Sequence, residues 1–433
     1  MTPRDSVVTF PDRSNRFLTA AASLRPGGPQ GVVLGGSIIM LVSTALVNVI
    51  NFAYNVVMGR MLGPSKFGHV TVSVTLLMLA SAVTLAFQLV CAKFVARNTA
   101  AGAKAGVYRS LRSKGWLISL VLGGVLFLAQ RPMAEYLRLP DSRILAVLAV
   151  GIAAYVPLGV RRGAMQGLCS FRRLSGSFII EALTRFITGV VLVVAGYGVL
   201  GAVGAISAAV LAAYFFPLGA ELKAQTEAGN PASFGEGVQA IVFFIGQVII
   251  CNVDVLLVKH FFVPEVAGLY AAVALVGRLL YFSSWSVISA MFPVSAAKTH
   301  DQGPHATIVP LVIIVAMSVT FILVLSLFPH LIIHAAFGVE FHQGEQLLPL
   351  YAVSAGLYSL SVVLIAYEMS RRIANTGWLQ LVFSGVLALA IATFHNTLRE
   401  VIMVQIVLMS FLLLLVSFPF LRRYRQIVRQ EAA

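Results

Sequence analysis

Residues Asn51–Ala80 read NFAYNVVMGRMLGPSKFGHVTVSVTLLMLA, and they lie without a gap over Cys251–Leu280, CNVDVLLVKHFFVPEVAGLYAAVALVGRLL. Pro64 falls on Pro264, Gly68 on Gly268 and Leu79 on Leu279, while the basic Arg60 falls on His260. The pair Arg172-Arg173 recurs as Arg371-Arg372 at nearly the same offset. Chance alignment of two apolar stretches is the competing explanation, and breaks that recur in step count against it. The spacing predicts two halves of about six membrane crossings each. Because six is even, both halves enter from the same side. They are parallel repeats about an axis along the membrane normal, an arrangement in which a substrate site falls between the halves.

Composition places such a repeat in a bilayer. Of 433 residues, 59% are hydrophobic and 11% charged, where a soluble chain is nearer half and a quarter. A crossing takes about 20 apolar residues, so the length fits about a dozen. The apolar runs lie near 33–58, 68–92, 115–130, 144–160, 175–196, 199–219, 237–258, 267–292, 307–328, 346–368, 376–394 and 401–421. The expected fold is an all-α polytopic membrane protein of about twelve transmembrane helices around a central cavity. It divides into a basic N-terminal segment (1–31), a first six-helix bundle (32–220) and a second with a basic tail (221–433).

Charge gives the orientation. Lys and Arg number 31 against 16 acids, a net +15. With the N-terminus inside, inner segments carry 22 of the Lys and Arg and outer segments carry 7, which predicts both termini in the cytoplasm. Arg4, Arg13, Arg16 and Arg25 precede a first run too long for a signal-peptide core. Topology and anionic lipid headgroups account for the excess, including Arg422, Arg423, Arg425 and Arg429, without a nucleic-acid partner. Cys91, Cys169 and Cys251 form no CxxC. No GxxxxGK[ST] supplies an ATP site. His330 and His334 have metal-like spacing with no acid in the local sequence to complete it, so neither metal nor cofactor is expected.

Polar groups at bilayer depth are costly and face a bundle interior or a watery cavity. In the first run Ser37, Thr44, Asn48, Asn51 and Asn55 share an arc of about 60°, read as cavity lining over helix–helix glue. In the eighth, Tyr270, Arg278, Tyr281 and Trp285 share about 80°, with Arg278 near the midplane. A guanidinium there needs an acid, a carbonyl or an anionic substrate, and phosphate suits its forked geometry. Asp254 is the candidate acid. Straight-helix arithmetic puts it about 10 Å nearer the outer surface, so direct pairing is not expected. Glu181 and Arg185 are spaced for mutual neutralisation at i,i+4. Tyr351, Ser354, Tyr358 and Ser361 form a milder polar stripe in the tenth run.

The stretch Asn51–Gly68, with its Arg60-Met-Leu-Gly-Pro64 turn, resembles bacterial polysaccharide flippases of the O-antigen and exopolysaccharide type. These belong to the multidrug/oligosaccharidyl-lipid/polysaccharide export superfamily. Asp254 through Pro264 to Ala272, Glu181 with Arg185, and Phe337-Gly338 followed by Glu340-Phe341 extend the resemblance over most of 33–421. It implies a transporter, not an enzyme, that carries a polyprenyl-diphosphate-linked oligosaccharide from the cytoplasmic to the outer leaflet of the bacterial inner membrane by alternating access. Arg278, Tyr281 and Trp285 would then meet the headgroup, and Asn48, Asn51 and Asn55 the sugar hydroxyls, while Asp254, Glu181 and Arg185 would serve coupling or ion pairing. Membrane lipids, a polysaccharide polymerase and glycosyltransferases are the partners it suggests. Competing readings are a multidrug/cation antiporter of the same superfamily, a membrane glycosyltransferase and a non-transporting assembly scaffold.

Overall fold

The computed structural model describes residues 29–219, 222, 238–297, 303–370 and 376–431. Arg4, Arg13, Arg16, Arg25, Arg371 and Arg372 lie outside the described residues, as do the side chains of Ser37, Arg423, Arg425 and Arg429. The described residues are helical and contain no strand. In order they form α1 (Pro29–Arg97), α2 (Ala101–Leu128), α3 (Gln130–Tyr136), α4 (Arg143–Gly167), α5 (Phe171–Leu192) and α6 (Gly198–Phe215). A second series follows as α7 (Val238–Ile250), α8 (Val253–Phe261), α9 (Pro264–Ala297), α10 (Gly303–Leu327), α11 (Pro329–Phe337), α12 (Leu348–Ser370), α13 (Thr376–Thr393) and α14 (Leu398–Glu431).

Two glycine breaks recover the expected count. α1 breaks at Gly63, whose φ of 70° and ψ of 172° are closed to residues with a Cβ, and Pro64 then restarts the helix. The join between α5 and α6 is a π-helical turn, Val193–Tyr197, with positive φ at Gly196 and Gly198. Nine stretches among the described residues are long and apolar enough to cross a membrane, two of them divided by these breaks, and the shorter Trp378–Thr393 adds one more. Together these make the twelve crossings read from the sequence.

The structure corrects the ends of two runs. The third begins at Ala101, well before residue 115, and the fourth continues past 160 to Gly167. Gly159, Gly163 and Gly167 explain the second extension. They repeat at i,i+4 and bring α4 backbone-close to Thr84, Gln88 and Ala92 of α1, the small-residue packing that membrane helices use in place of a hydrophobic driving force. Arg161 and Arg162, counted above in a cytoplasmic segment, are therefore helical, and Arg162 is 5% exposed.

α1 to α6 pack chiefly on one another, as do α7 to α14, and α1 is the main bridge between the sets through α9, α7, α8 and α11. The crossing lies at the end that carries Pro64 and Pro264, the proline end. A Cβ on Gly68 would stand 3.1 Å from Gly268 N and from Pro264 O. The buried Phe67 ring adds tilted and edge contacts to Phe337 and Phe341, centroids 5.6 and 5.9 Å away. At this end the two halves are closed against each other.

Candidate functional site

Two polar clusters are buried at bilayer depth, one in each half. In the second, the chain breaks helix at Cys251–Asn252 between α7 and α8, and Asn252 Nδ2 donates to Val248 O at 2.8 Å. The turn delivers Asp254, 1% exposed. Its Oδ1 accepts from Arg278 Nη2 at 3.0 Å, and its Oδ2 from Tyr270 Oη at 2.9 Å and Tyr351 Oη at 2.8 Å. Arg278 Nη1 also donates to Asn252 Oδ1 at 3.4 Å, and Gln405 Nε2 donates to Tyr270 Oη at 2.7 Å.

The expectation that Arg278 and Asp254 stand too far apart is thus overturned. Side chains on a helix lean toward its N-terminus, and α9 starts at the proline end, so the long Arg278 side chain reaches toward Asp254. The turn at Cys251–Asn252 also removes α8 from the straight-helix register. Arg278 is held by the protein's own carboxylate, and the pair is neutral.

Beside it lies a cavity of about 40 Å³ lined by Arg278, Tyr281, Tyr351, Tyr358, Gln405 and Cys251 among others, room for about three waters. Tyr281 stacks on Tyr358 at 5.5 Å, and Trp285 stands 6.4 Å from Tyr281 and 6.5 Å from Phe243. These rings pack on one another within the second half, and the cavity does not reach the asparagines of α1.

The first-half cluster is built by α4, α5 and α1. Glu181 Oε2 accepts from Arg162 Nη2 at 2.6 Å, and its Oε1 from Arg185 Nη2 at 2.8 Å. Arg162 also donates to Ser177 Oγ and to the Ser177 carbonyl, at 3.2 and 3.1 Å, with the Phe178 ring 4.0 Å away. Arg185 Nη1 donates to Asn51 Oδ1 at 3.3 Å. One carboxylate serves two guanidiniums, so the cluster carries a net positive charge, and Arg185 Nε is buried with no hydrogen-bond partner among the described residues.

Of the sequence-derived residues, Asn51, Glu181 and Arg185 come together here. Asn55 Nδ2 donates to the Asn51 carbonyl at 2.8 Å, while Asn48 is exposed on the same limb. Arg162 escaped notice because its helix was cut short in the reading. An Arg-Arg pair following directly on an apolar run was the available signal. At the proline end an acid does reach the histidine pair, since His330 Nδ1 lies 2.9 Å from Glu345 Oε1. No group of three potential metal ligands forms among the described residues.

Twelve crossings in two helical halves, each with buried arginines, define a multi-pass helical membrane protein. Solved structures share this fold. The chain is similar to an inward-facing multidrug resistance MATE family transporter of the MOP superfamily, with 12% identity over 92% of this chain and 99% of that one and a TM-score of 0.72. It is also similar to an outward-facing form of such a transporter, with 15% identity over 94% and 98% and a TM-score of 0.62. A MATE in complex with MaD3S gives 14%, 95% and 99%, and 0.62. Comparison with the curated proteins gives no match. The pattern of the family described as polysaccharide biosynthesis protein matches residues 33–299, and the chain belongs to that family.

Proposed function

We propose that the protein is a flippase that moves a polyprenyl-diphosphate-linked oligosaccharide from the cytoplasmic to the outer leaflet of the bacterial inner membrane for surface polysaccharide synthesis. The charge bias of the loops supports placing both termini in the cytoplasm and the proline end outside. A diphosphate with several sugars does not cross about 30 Å of hydrocarbon unshielded, so the cargo requires a polar path between the halves. The observation that carries the reading is the Arg162–Glu181–Arg185 cluster with Asn51. Its surplus positive charge and its unpartnered Arg185 Nε suit an anionic headgroup, and the adjoining asparagines suit sugar hydroxyls.

In this reading Arg185, rather than the neutralised Arg278, meets the diphosphate first. Arg278, Tyr281 and Trp285 serve by fixing the second half, and Arg278 receives a phosphate only if Asp254 releases it. With the proline end closed, this reading takes the cytoplasmic side as the one that admits the cargo, and movement of one half on the other exposes the same path outward. The polymerase and glycosyltransferases of the same synthesis are the partners on either side of this step.

An antiporter reading through Asp254 is disfavoured, because an incoming cation would have to displace a guanidinium at 3.0 Å and two tyrosine hydroxyls. The test is complementation of a strain lacking its own flippase. Arg185→Ala should abolish surface polysaccharide at normal protein level. Full polysaccharide with Arg185→Ala, or drug resistance lost in Asp254→Asn, contradicts the proposal.

A further inference from the structure

Two more basic side chains are buried where the halves meet, and neither cluster above includes them. Lys259, at the end of α8, is 1% exposed, and its Nζ has no hydrogen-bond partner among the described residues. His69, next to Gly68 on α1, is 5% exposed, and its Nδ1 is likewise unpartnered. The two come from opposite halves that meet here, since a Cβ on Gly68, next to His69, would stand 3.1 Å from the carbonyl of Pro264, just past α8, whose last turn holds Lys259. Arg138, exposed just beyond α3, is brought to the same place by Tyr136, whose carbonyl lies 2.7 Å from His260 Nδ1 and whose ring stacks on His260 at 3.7 Å. Neither Lys259 Nζ nor His69 Nδ1 hydrogen-bonds a carboxylate among the described residues.

Such an arrangement works against the closed seam. A charged Lys259 lacks its counter-ion, and an uncharged one has given up the hydration of an ammonium. Separation of Gly68 from Gly268 would return water to both side chains and leave Lys259 on one wall of the opening and His69 and Arg138 on the other. Three donors without an acid, at the mouth of a bundle, match a phosphate-type anion and repel a cation.

We infer that Lys259 on one wall of the parted seam and His69 with Arg138 on the other flank a second anion site, opened only when the seam parts, which takes a diphosphate group between the walls and holds the outer side open. The inference rests on the flippase proposal for the identity of its cargo, though not for its chemistry. The headgroup would pass from Arg185 to Lys259, and its arrival would favour the open seam because the closed one has no room for it. A ligand exclusive to one state, at ten times its dissociation constant, raises that state's share about elevenfold.

The experiment is hydrogen–deuterium exchange on the full-length protein in nanodiscs, with chloride, inorganic diphosphate or farnesyl diphosphate at equal ionic strength. Faster exchange across residues 64–72 and 253–262 with diphosphate, by about tenfold, is the expected result. Lys259→Met should remove the response and slow the basal exchange, because it relieves the buried base, and Lys259→Arg should keep the response. A response to farnesyl diphosphate alone assigns the site to a lipid headgroup, and a response to both assigns it to any diphosphate. Absence of a response in the wild type overturns the inference, as does an unchanged response in Lys259→Met or faster basal exchange in that variant. Flipping assayed on the same samples separates the two proposals. Failure to flip with the response intact refutes the cargo and leaves the anion site standing, and flipping without a response does the reverse.

Discussion

Gly68 and Gly268 are two hundred positions apart in the chain and lie against each other at the proline end, one from each repeat. A Cβ on Gly268 would overlap the Pro64 carbonyl, and one on Gly68 would reach 3.1 Å from the Pro264 carbonyl. The positions that align in sequence thus meet in space, each glycine beside the other repeat's proline turn. Neither side chain stands between the backbones, so the halves close to backbone distance.

That contact predicts how the seam opens. Gly268→Val places a branched side chain against rigid backbone, where overpacking costs about 1–3 kcal/mol. The closed state should lose that much relative to the open one. Ala271, 1% exposed, reports it when replaced by cysteine in a Cys169→Ser background. Reaction with an impermeant maleimide should be slow while Gly268 is kept and at least several-fold faster once Gly268→Val is added. Equal rates would show that this contact does not hold the seam.

Arg60 clasps the same seam from the surface. It donates to Ala336 O at 2.8 Å, to His334 O at 3.4 Å and to Ala335 O, carbonyls at the C-terminal end of α11. A cation at a helix C-terminus contributes about 0.3–1 kcal/mol when exposed. Arg60→Ala should therefore raise the same labelling rate by about two- to fivefold, and Arg60→Lys should restore part of the difference.

The Asp254–Arg278 pair separates removal of one partner from removal of both. Asp254→Asn leaves a buried guanidinium without its acid, a change that costs about 3–5 kcal/mol in buried pairs. Asp254→Asn with Arg278→Met removes both charges and should recover most of that loss in a thermal melt of the detergent-solubilised protein. A double variant less stable than Asp254→Asn alone would mean that Arg278 contributes through contacts other than this pair.

What was legible in the sequence follows from what repeats along a helix. The twelve crossings, the break between the runs 175–196 and 199–219 and the aligned Pro64/Pro264 and Gly68/Gly268 positions are properties of local composition and spacing, and the structure carries them all. Pairing across helices is different. The distance from Arg278 to Asp254 depends on the Cys251–Asn252 turn and on the lean of a long side chain, neither of which a straight-helix estimate includes. Arg162 was hidden because a charged pair after an apolar run reads as the edge of the membrane, while Gly163 and Gly167 keep the helix going and Glu181 neutralises the charge from another element. His69 and Lys259 belong to different halves, and only the closed seam brings them together.

In the first-half cluster the two arginines should behave differently. Arg162 donates three hydrogen bonds, to Glu181 and twice to Ser177, and Arg162→Ala should lower stability by about 1.5–3 kcal/mol, the scale of charge-assisted bonds. Arg185 holds Glu181 through an i,i+4 pair and Asn51 through one long bond, and its loss leaves Glu181 paired with Arg162, so Arg185→Ala should cost about 0.5–1.5 kcal/mol. Its effect should fall on transport, and a melting curve read beside a transport rate distinguishes the two.

Transbilayer movement of a polyprenyl-diphosphate oligosaccharide in liposomes that contain the purified protein is the most direct test of the central claim. Accessibility of the sugar to a lectin on one side reports the movement, with Arg185→Ala and protein-free liposomes beside it. The account predicts movement that requires the protein and falls at least tenfold in Arg185→Ala, the loss of about 1.4 kcal/mol of headgroup binding. Movement unaffected by Arg185→Ala, or none under any imposed ion gradient, would contradict it.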